Sequence, residues 1–194
     1  IETKSNTLLF GCKNSFIPDT VTSIGADAFS CCYSLRSIKI PNSVTSIGEN
    51  AFLMCSSLES VAIPDSVESV GEWAFAECTS LKSAKISNKL SIISSWMFSN
   101  CNSLSNVVIP DSVKTIAQSA FVDCSSLTQV SISESLESIG DWAFCNCSSL
   151  SDVTLPESLK IIGYESFSKC TALKSVVIPK NVKSIGYGGV YASL

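Results

Sequence analysis

Cys55-Ser56-Ser57-Leu58-Glu59-Ser60-Val61-Ala62-Ile63-Pro64-Asp65-Ser66-Val67-Glu68-Ser69-Val70-Gly71-Glu72-Trp73-Ala74-Phe75-Ala76-Glu77 decides the fold, because at Cys78 the same pattern begins again. Cys32, Cys55, Cys78, Cys101, Cys124, Cys147 and Cys170 stand 23 residues apart, as do Phe29, Phe52, Phe75, Phe98, Phe121, Phe144 and Phe167. A fixed period in the twenties marks a solenoid: one repeat cannot bury its own apolar side, and stacking buries all of them. Counted from the Ile-Pro step, coils start at Ile17, Ile40, Ile63, Ile86, Ile109, Ile132, Leu155 and Ile178, the last one incomplete. Residues 1–16 read as a degenerate N-terminal capping coil and 17–194 as the repeats, in one continuous domain.

Within a coil, Leu58, Val61 and Ile63 and their counterparts alternate as a strand half buried on one face, and stacking these strands in register predicts a parallel sheet. The proline that follows, as at Pro41, Pro64 and Pro110, removes a ladder donor and ends the strand. Ser87 and Ser133 replace it in two coils. Val67 and Val70 with their equivalents then return to the interior as a second short strand. Gly48, Gly71 and Gly140 suit a corner with positive φ or close backbone approach, and Ser94 and Ala117 interrupt that column. Ala74-Phe75 and its equivalents are expected on a short 3₁₀ or single-turn α element whose Phe fills the middle of the coil.

The ends are less regular. Leu8, Leu9 and Phe10, followed by a turn over Gly11-Cys12-Lys13-Asn14, are expected to shield the first full coil. The sequence starts at Ile1 with no Met or signal peptide and stops part-way through a coil, which reads as a piece of a longer protein. The apolar face at Val182, Ile185 and Val190 would then need a lid, supplied by further repeats or by end-to-end self-association.

The string Leu-x-x-Val-x-Ile-Pro-x-Ser-Val-x-Ser-Ile-Gly-x-x-Ala-Phe-x-x-Cys resembles the BspA-like, Treponema pallidum-type class of leucine-rich repeat, from about Phe16 to about Gly186. The resemblance implies a leucine-rich-repeat solenoid with its parallel sheet on a concave face. It also implies a secreted or cell-surface protein, bacterial or from a parasitic protist, in a family where some members are adhesins. That family has no shared catalytic residues. The last coil departs from the pattern, with Gly189-Val190 in place of Ala-Phe.

Composition narrows the function. A charged share of 15% and a formal charge of −4 leave no basic stripe for nucleic acid, and no apolar run approaches the ~18 residues that span a bilayer. The absence of His removes Ser-His-Asp and Cys-His nucleophiles and the commonest metal ligand. No phosphate-cradling glycine motif is present, so neither cofactor nor metal is expected. Seven of the ten cysteines share one column. Neighbours there point the same way, which is poor disulfide geometry, so they read as buried thiols. Cys12, Cys31 and Cys145 lie outside the column and are the candidates for reactivity or pairing.

Two surfaces are candidates for binding. One is the outward side of the main sheet, where Arg36, Lys39, Lys82 and Lys85 form a modest basic corner against the alternative of an ordinary solvated face. The other carries Trp73, Trp96 and Trp142 in one column, at least two of which are expected to be more than a quarter exposed; the alternative is that they pack as wall. The function expected is a non-catalytic protein-binding or adhesion module. A structural stalk is the alternative, and a hydrolase using turn carboxylates such as Asp65, Asp111, Glu134 and Glu157 is the remote one.

Overall fold

The computed structural model describes residues 6–11 and 16–190. Cys12 and most of the turn expected over 11–14 lie outside the described residues. In chain order the strands are β1 (Thr7–Leu8), β2 (Ser23–Ile24), β3 (Ser46–Ile47), β4 (Ser60–Ala62), β5 (Ser69–Val70), β6 (Ser83–Lys85) and β7 (Ile92–Ile93). They continue as β8 (Asn106–Val108), β9 (Thr115–Ile116), β10 (Gln129–Ser131), β11 (Ser138–Ile139), β12 (Ile161–Ile162) and β13 (Ser184–Ile185). Every pairing is parallel, and from β2 onward each joins residues one period apart, as Val61 pairs with Ala84 and Ile139 with Ile162, while β1 meets β2 across 16 residues, Thr7 to Ser23. This is a leucine-rich-repeat solenoid of 23-residue coils.

Three walls surround the core. The first is the four-stranded sheet β4-β6-β8-β10, whose central residues Val61, Val107 and Val130 are buried while their neighbours face out. The pairing is narrower than the alternation predicts. Residues 37–40 do not join β4 as a strand, and beyond β10 a single bridge ties Gln129 to Asp152.

The second wall holds the return strands in two sheets, β1-β2-β3-β5 and β7-β9-β11-β12-β13. The seam falls between β5 and β7, where Ser94 replaces the glycine. A Cβ at Gly71 would lie 2.4 Å from the Glu49 amide nitrogen of the preceding coil, so this column is glycine for close approach rather than for φ. Gly71 donates its amide to the Ile47 carbonyl, and Ala117 does the same to Ile93. At the seam the Val70 carbonyl accepts the Ser94 hydroxyl.

The third wall corrects the expected helix. No α or 3₁₀ helix occurs among the described residues; the Ala-Phe segments are chained turns. Cys55 closes back onto Phe52 at 3.2 Å and Leu53 onto Asn50 at 3.0 Å, while the alternate amides of Asn50, Phe52 and Met54 donate to Glu72, Ala74 and Ala76 of the next coil. A 3₁₀ helix would keep every amide inside its own coil, whereas alternate donation ties coil to coil. The geometry needs positive φ at two columns, one through Asn50 (54°), Trp73 (57°), Trp96 (54°), Ser119 (53°) and Trp142 (53°), the other through Met54 (59°) and Glu77 (58°). Positive φ at the third residue of a turn is the type II pattern.

Inside, the seven phenylalanines form one unbroken stack, fully buried, with successive centroids 4.9 to 5.7 Å apart. Phe75 and Phe98 lie 5.7 Å apart with planes 13° off parallel. The six thiols from Cys55 to Cys170 are equally sealed, each donating to the Phe carbonyl of the coil before. Toward the C-terminal end the columns open: Ile185 is 49% exposed where its equivalent Ile139 is fully buried.

Candidate functional site

The sheet face is built on small side chains. Ser60, Ala62 and Ser83 point outward from β4 and β6, and the inward position of β6 is Ala84 where neighbouring strands carry valine. Where residues 37–40 fail to pair with β4, the surface opens into a recess of about 740 Å³ lined by Ser37, Lys39, Ser60, Ala62, Asp65 and Lys85 among others. A second hollow of about 530 Å³ adjoins it across Ala62 and Lys85 and reaches Asn88, Val108 and Pro110.

The four basic residues of this face do not act as one corner. Lys82 sits 3.0 Å from Glu59 of the preceding coil, and that ammonium, aided by Arg36, holds the Glu59 carboxyl below the usual range. Lys85 lies only 3.8 Å from Asp65. The Asp65 carboxylate is engaged chiefly by the Asn88 amide at 3.0 Å, which with smaller help from Lys85 lowers its pKa. Lys39 makes no ion pair among the described residues. The structure thus separates Lys82, paired with Glu59 near Arg36, from Lys39 and Lys85, which share the recess. The Glu59–Lys82 pair was legible as two residues of one column in successive coils. The participation of Ala62, Asp65 and Asn88 was not, because it depends on where the sheet frays.

Trp73, Trp96 and Trp142 occupy the positive-φ column and are all half-buried. Trp73 and Trp96 stack face to face at 4.9 Å, so the faces between them are spent on each other. Trp142 meets Tyr164 edge-on at 5.2 Å and donates through Nε1 to Glu165 at 3.2 Å, while Tyr164 stacks on the well-exposed Tyr187. Ser119 interrupts the column, so the tryptophans do not converge on one point.

The column thiols are held neutral. Burial pushes the Cys55, Cys124 and Cys170 thiols up to about 12, and those of Cys101 and Cys147 well above the ordinary value. A neutral thiol is a poor nucleophile and a poor metal ligand. Of the cysteines outside the column, Cys31 is exposed and Cys145 half-buried with its pKa raised by desolvation. Among the described residues no three His, Cys, Asp or Glu side chains converge to hold a metal ion, and no helix is long and apolar enough to cross a membrane.

Comparison with known proteins agrees with this architecture. The family described as "BspA type Leucine rich repeat region (6 copies)" matches residues 9–127 and 98–192. Among solved structures, a leucine-rich repeat protein from Eubacterium ventriosum is similar at 29% identity and a TM-score of 0.83, over 97% of this chain and 51% of that one. A leucine rich cell surface protein from Faecalibacterium prausnitzii is similar at 32% identity and a TM-score of 0.68, over 80% of this chain and 42% of its own. The pneumococcal vaccine antigen PcpA is similar at 27% identity and a TM-score of 0.59, over 87% of this chain and 45% of that one. The chain therefore spans about half the length of these relatives. No curated protein matches it. With its columns, its parallel walls and a match along nearly its whole length, the chain belongs to the BspA-type leucine-rich repeat family.

Proposed function

We propose that this chain is a non-catalytic binding module of a secreted or cell-surface protein, and that the outward face of the β4-β6-β8-β10 sheet contacts a host or bacterial surface protein. The observation that carries the reading is the recessed floor of Ser60, Ala62 and Ser83 beside Lys39 and Lys85, a hollow of small side chains rimmed by two lysines. The names of two relatives, a cell surface protein and a vaccine antigen, support the location. The burial of the six column thiols from Cys55 to Cys170, which keeps them neutral, supports the non-catalytic reading.

The test is binding of the chain to immobilised matrix and bacterial surface proteins. Saturable binding that weakens in the Lys82→Glu/Lys85→Glu variant is expected. Binding unchanged by that variant removes the sheet face from consideration.

A further inference from the structure

We infer that the recess between residues 37–40 and β4 takes a single carboxylate from an extended segment of the partner protein, and that an apolar side chain three residues further along seats against Val108 and Pro110. This rests on the binding-module reading and says what the module recognises.

Lys39 and Lys85 belong to the same outward column two coils apart, with Ala62 between them. A methyl group in the middle position leaves room for a ligand atom set between two ammonium groups. The hydroxyls of Ser37 and Ser60 line the same recess and supply further donors. Three other lysines are already occupied, Lys82 with Glu59 and Lys89 with Glu68, both at 3.0 Å, and Lys160 with Glu137. Lys85 is held loosely, and its acidic neighbour Asp65 is satisfied by both the amide and the side chain of Asn88. An incoming carboxylate therefore displaces no strong pair and gains charge-assisted hydrogen bonds.

The same charges argue against a polyanion. A sulfated polysaccharide needs a run of cations along its track; here Glu59, Asp65 and Glu68 stand beside the lysines and the formal charge is −4. One negative group on an otherwise uncharged chain fits better. Val108 lies two coils from Ala62 in the same column and is 63% exposed, with Pro110 closing the adjoining hollow. At the ~4.8 Å spacing of paired strands that is about 10 Å. A polyproline II segment rises ~3.1 Å per residue and brings every third residue back to one side, so its residues i and i+3 match the two points.

The experiment titrates the full chain with a fluorescent peptide carrying Glu-Pro-Pro-Leu, and with control peptides carrying Gln-Pro-Pro-Leu or Glu-Pro-Pro-Ser, by anisotropy. Saturable binding of the first is expected, with a loss of about tenfold or more for each control. Lys39→Gln/Lys85→Gln and Ala62→Glu should abolish it, the latter by placing a carboxylate of the protein's own between the lysines. Lys160→Gln/Lys183→Gln, which removes equal charge elsewhere, should retain it. Thermal unfolding of each variant shows that the fold persists. Equal binding of the Gln peptide, no saturable binding, or preferential binding of heparin over the peptide overturns the carboxylate site. The module reading fails separately, if the chain shows no saturable binding to any of the immobilised matrix and bacterial surface proteins.

Discussion

The Cys78 thiol donates to the carbonyl oxygen of Phe52 in the preceding coil at 3.3 Å, and that carbonyl lies deep in the stack beside the phenylalanine rings. The same contact recurs five more times at 3.1 to 3.2 Å. Cysteine suits the site because it is small and apolar enough for full burial yet keeps one weak donor. Ser or Ala there would alter one of those properties.

Thiol accessibility follows directly. Cys31 is exposed, whereas Cys55, Cys78, Cys101, Cys124, Cys147 and Cys170 are fully buried. An aromatic disulfide reagent should label Cys31 rapidly and the six column thiols only on denaturation, and Cys31→Ser should remove one fast equivalent. Rapid labelling of the column in native protein would contradict the stacked core.

Alkaline pH should destabilise the fold through the same thiols. Cys55, Cys124 and Cys170 ionise near 9.0 in the unfolded chain but are pushed up to about 12 when buried. Below the unfolded value both states keep the proton and stability is unaffected. Above it the unfolded chain releases protons that the folded one retains, so stability falls as pH rises through that window, by about 1.4 kcal/mol per unit for each such thiol. Replacing Cys124 with Ala should flatten the decline of Tm between those limits, and an unaltered slope would refute the linkage.

The phenylalanine stack should dominate stability. Phe98 lies 5.7 Å from Phe75 and 5.5 Å from Phe121, with no solvent exposure. Phe98→Ala should cost about 3–5 kcal/mol in denaturant titration. A loss below a third of that would mean the neighbouring coils collapse into the gap.

Hydrogen exchange should locate the seam. Ala117 bonds Ile93 at 2.9 Å and Gly71 bonds Ile47 at 2.8 Å, but between β5 and β7 the Val70 carbonyl takes a serine hydroxyl instead. The Ser94 amide should exchange faster than those of Ala117 and Gly71, because local opening there breaks fewer ladder bonds. Uniform protection along the wall would count against a seam.

Carboxylate titration tests the sheet face. Glu59 titrates low because of Lys82, chiefly by their hydrogen bond. The pair's contribution is present above the ordinary carboxylate range and lost as pH falls through the lowered value. Carbon NMR should show Glu59 returning toward the ordinary value in Lys82→Gln and in high salt. No movement would place Lys82 elsewhere.

The columns of Leu, Ile, Phe and Cys were legible because burial repeats with the period, and each column reinforces the others. The turns were not. Asp27 and Asn50, residues tolerant of positive φ, stand in the Trp73 column and Gly188 ends it, which is a left-handed signature that three tryptophans obscured. The glycine column was read as needing positive φ or close backbone approach; it is the second, and the atoms approached, the backbone at Glu49 and Ala26, belong to a coil other than the glycine's own. The recess depends on a local failure of pairing between residues 37–40 and β4, and alternation in both segments predicts pairing.

On the turn wall, alternate amides point toward the following coil, as Phe75 does to Met97; on the return wall the amides that follow the strands, those of Gly140, Gly163 and Gly186, point toward the preceding one, as Gly163 does to Ile139. Peptide dipoles on the two sides therefore oppose one another, unlike those of an α-helix, which add head to tail. Lengthening such a rod by another turn of chain builds up less electrical polarity along its axis than adding a turn to an α-helix does.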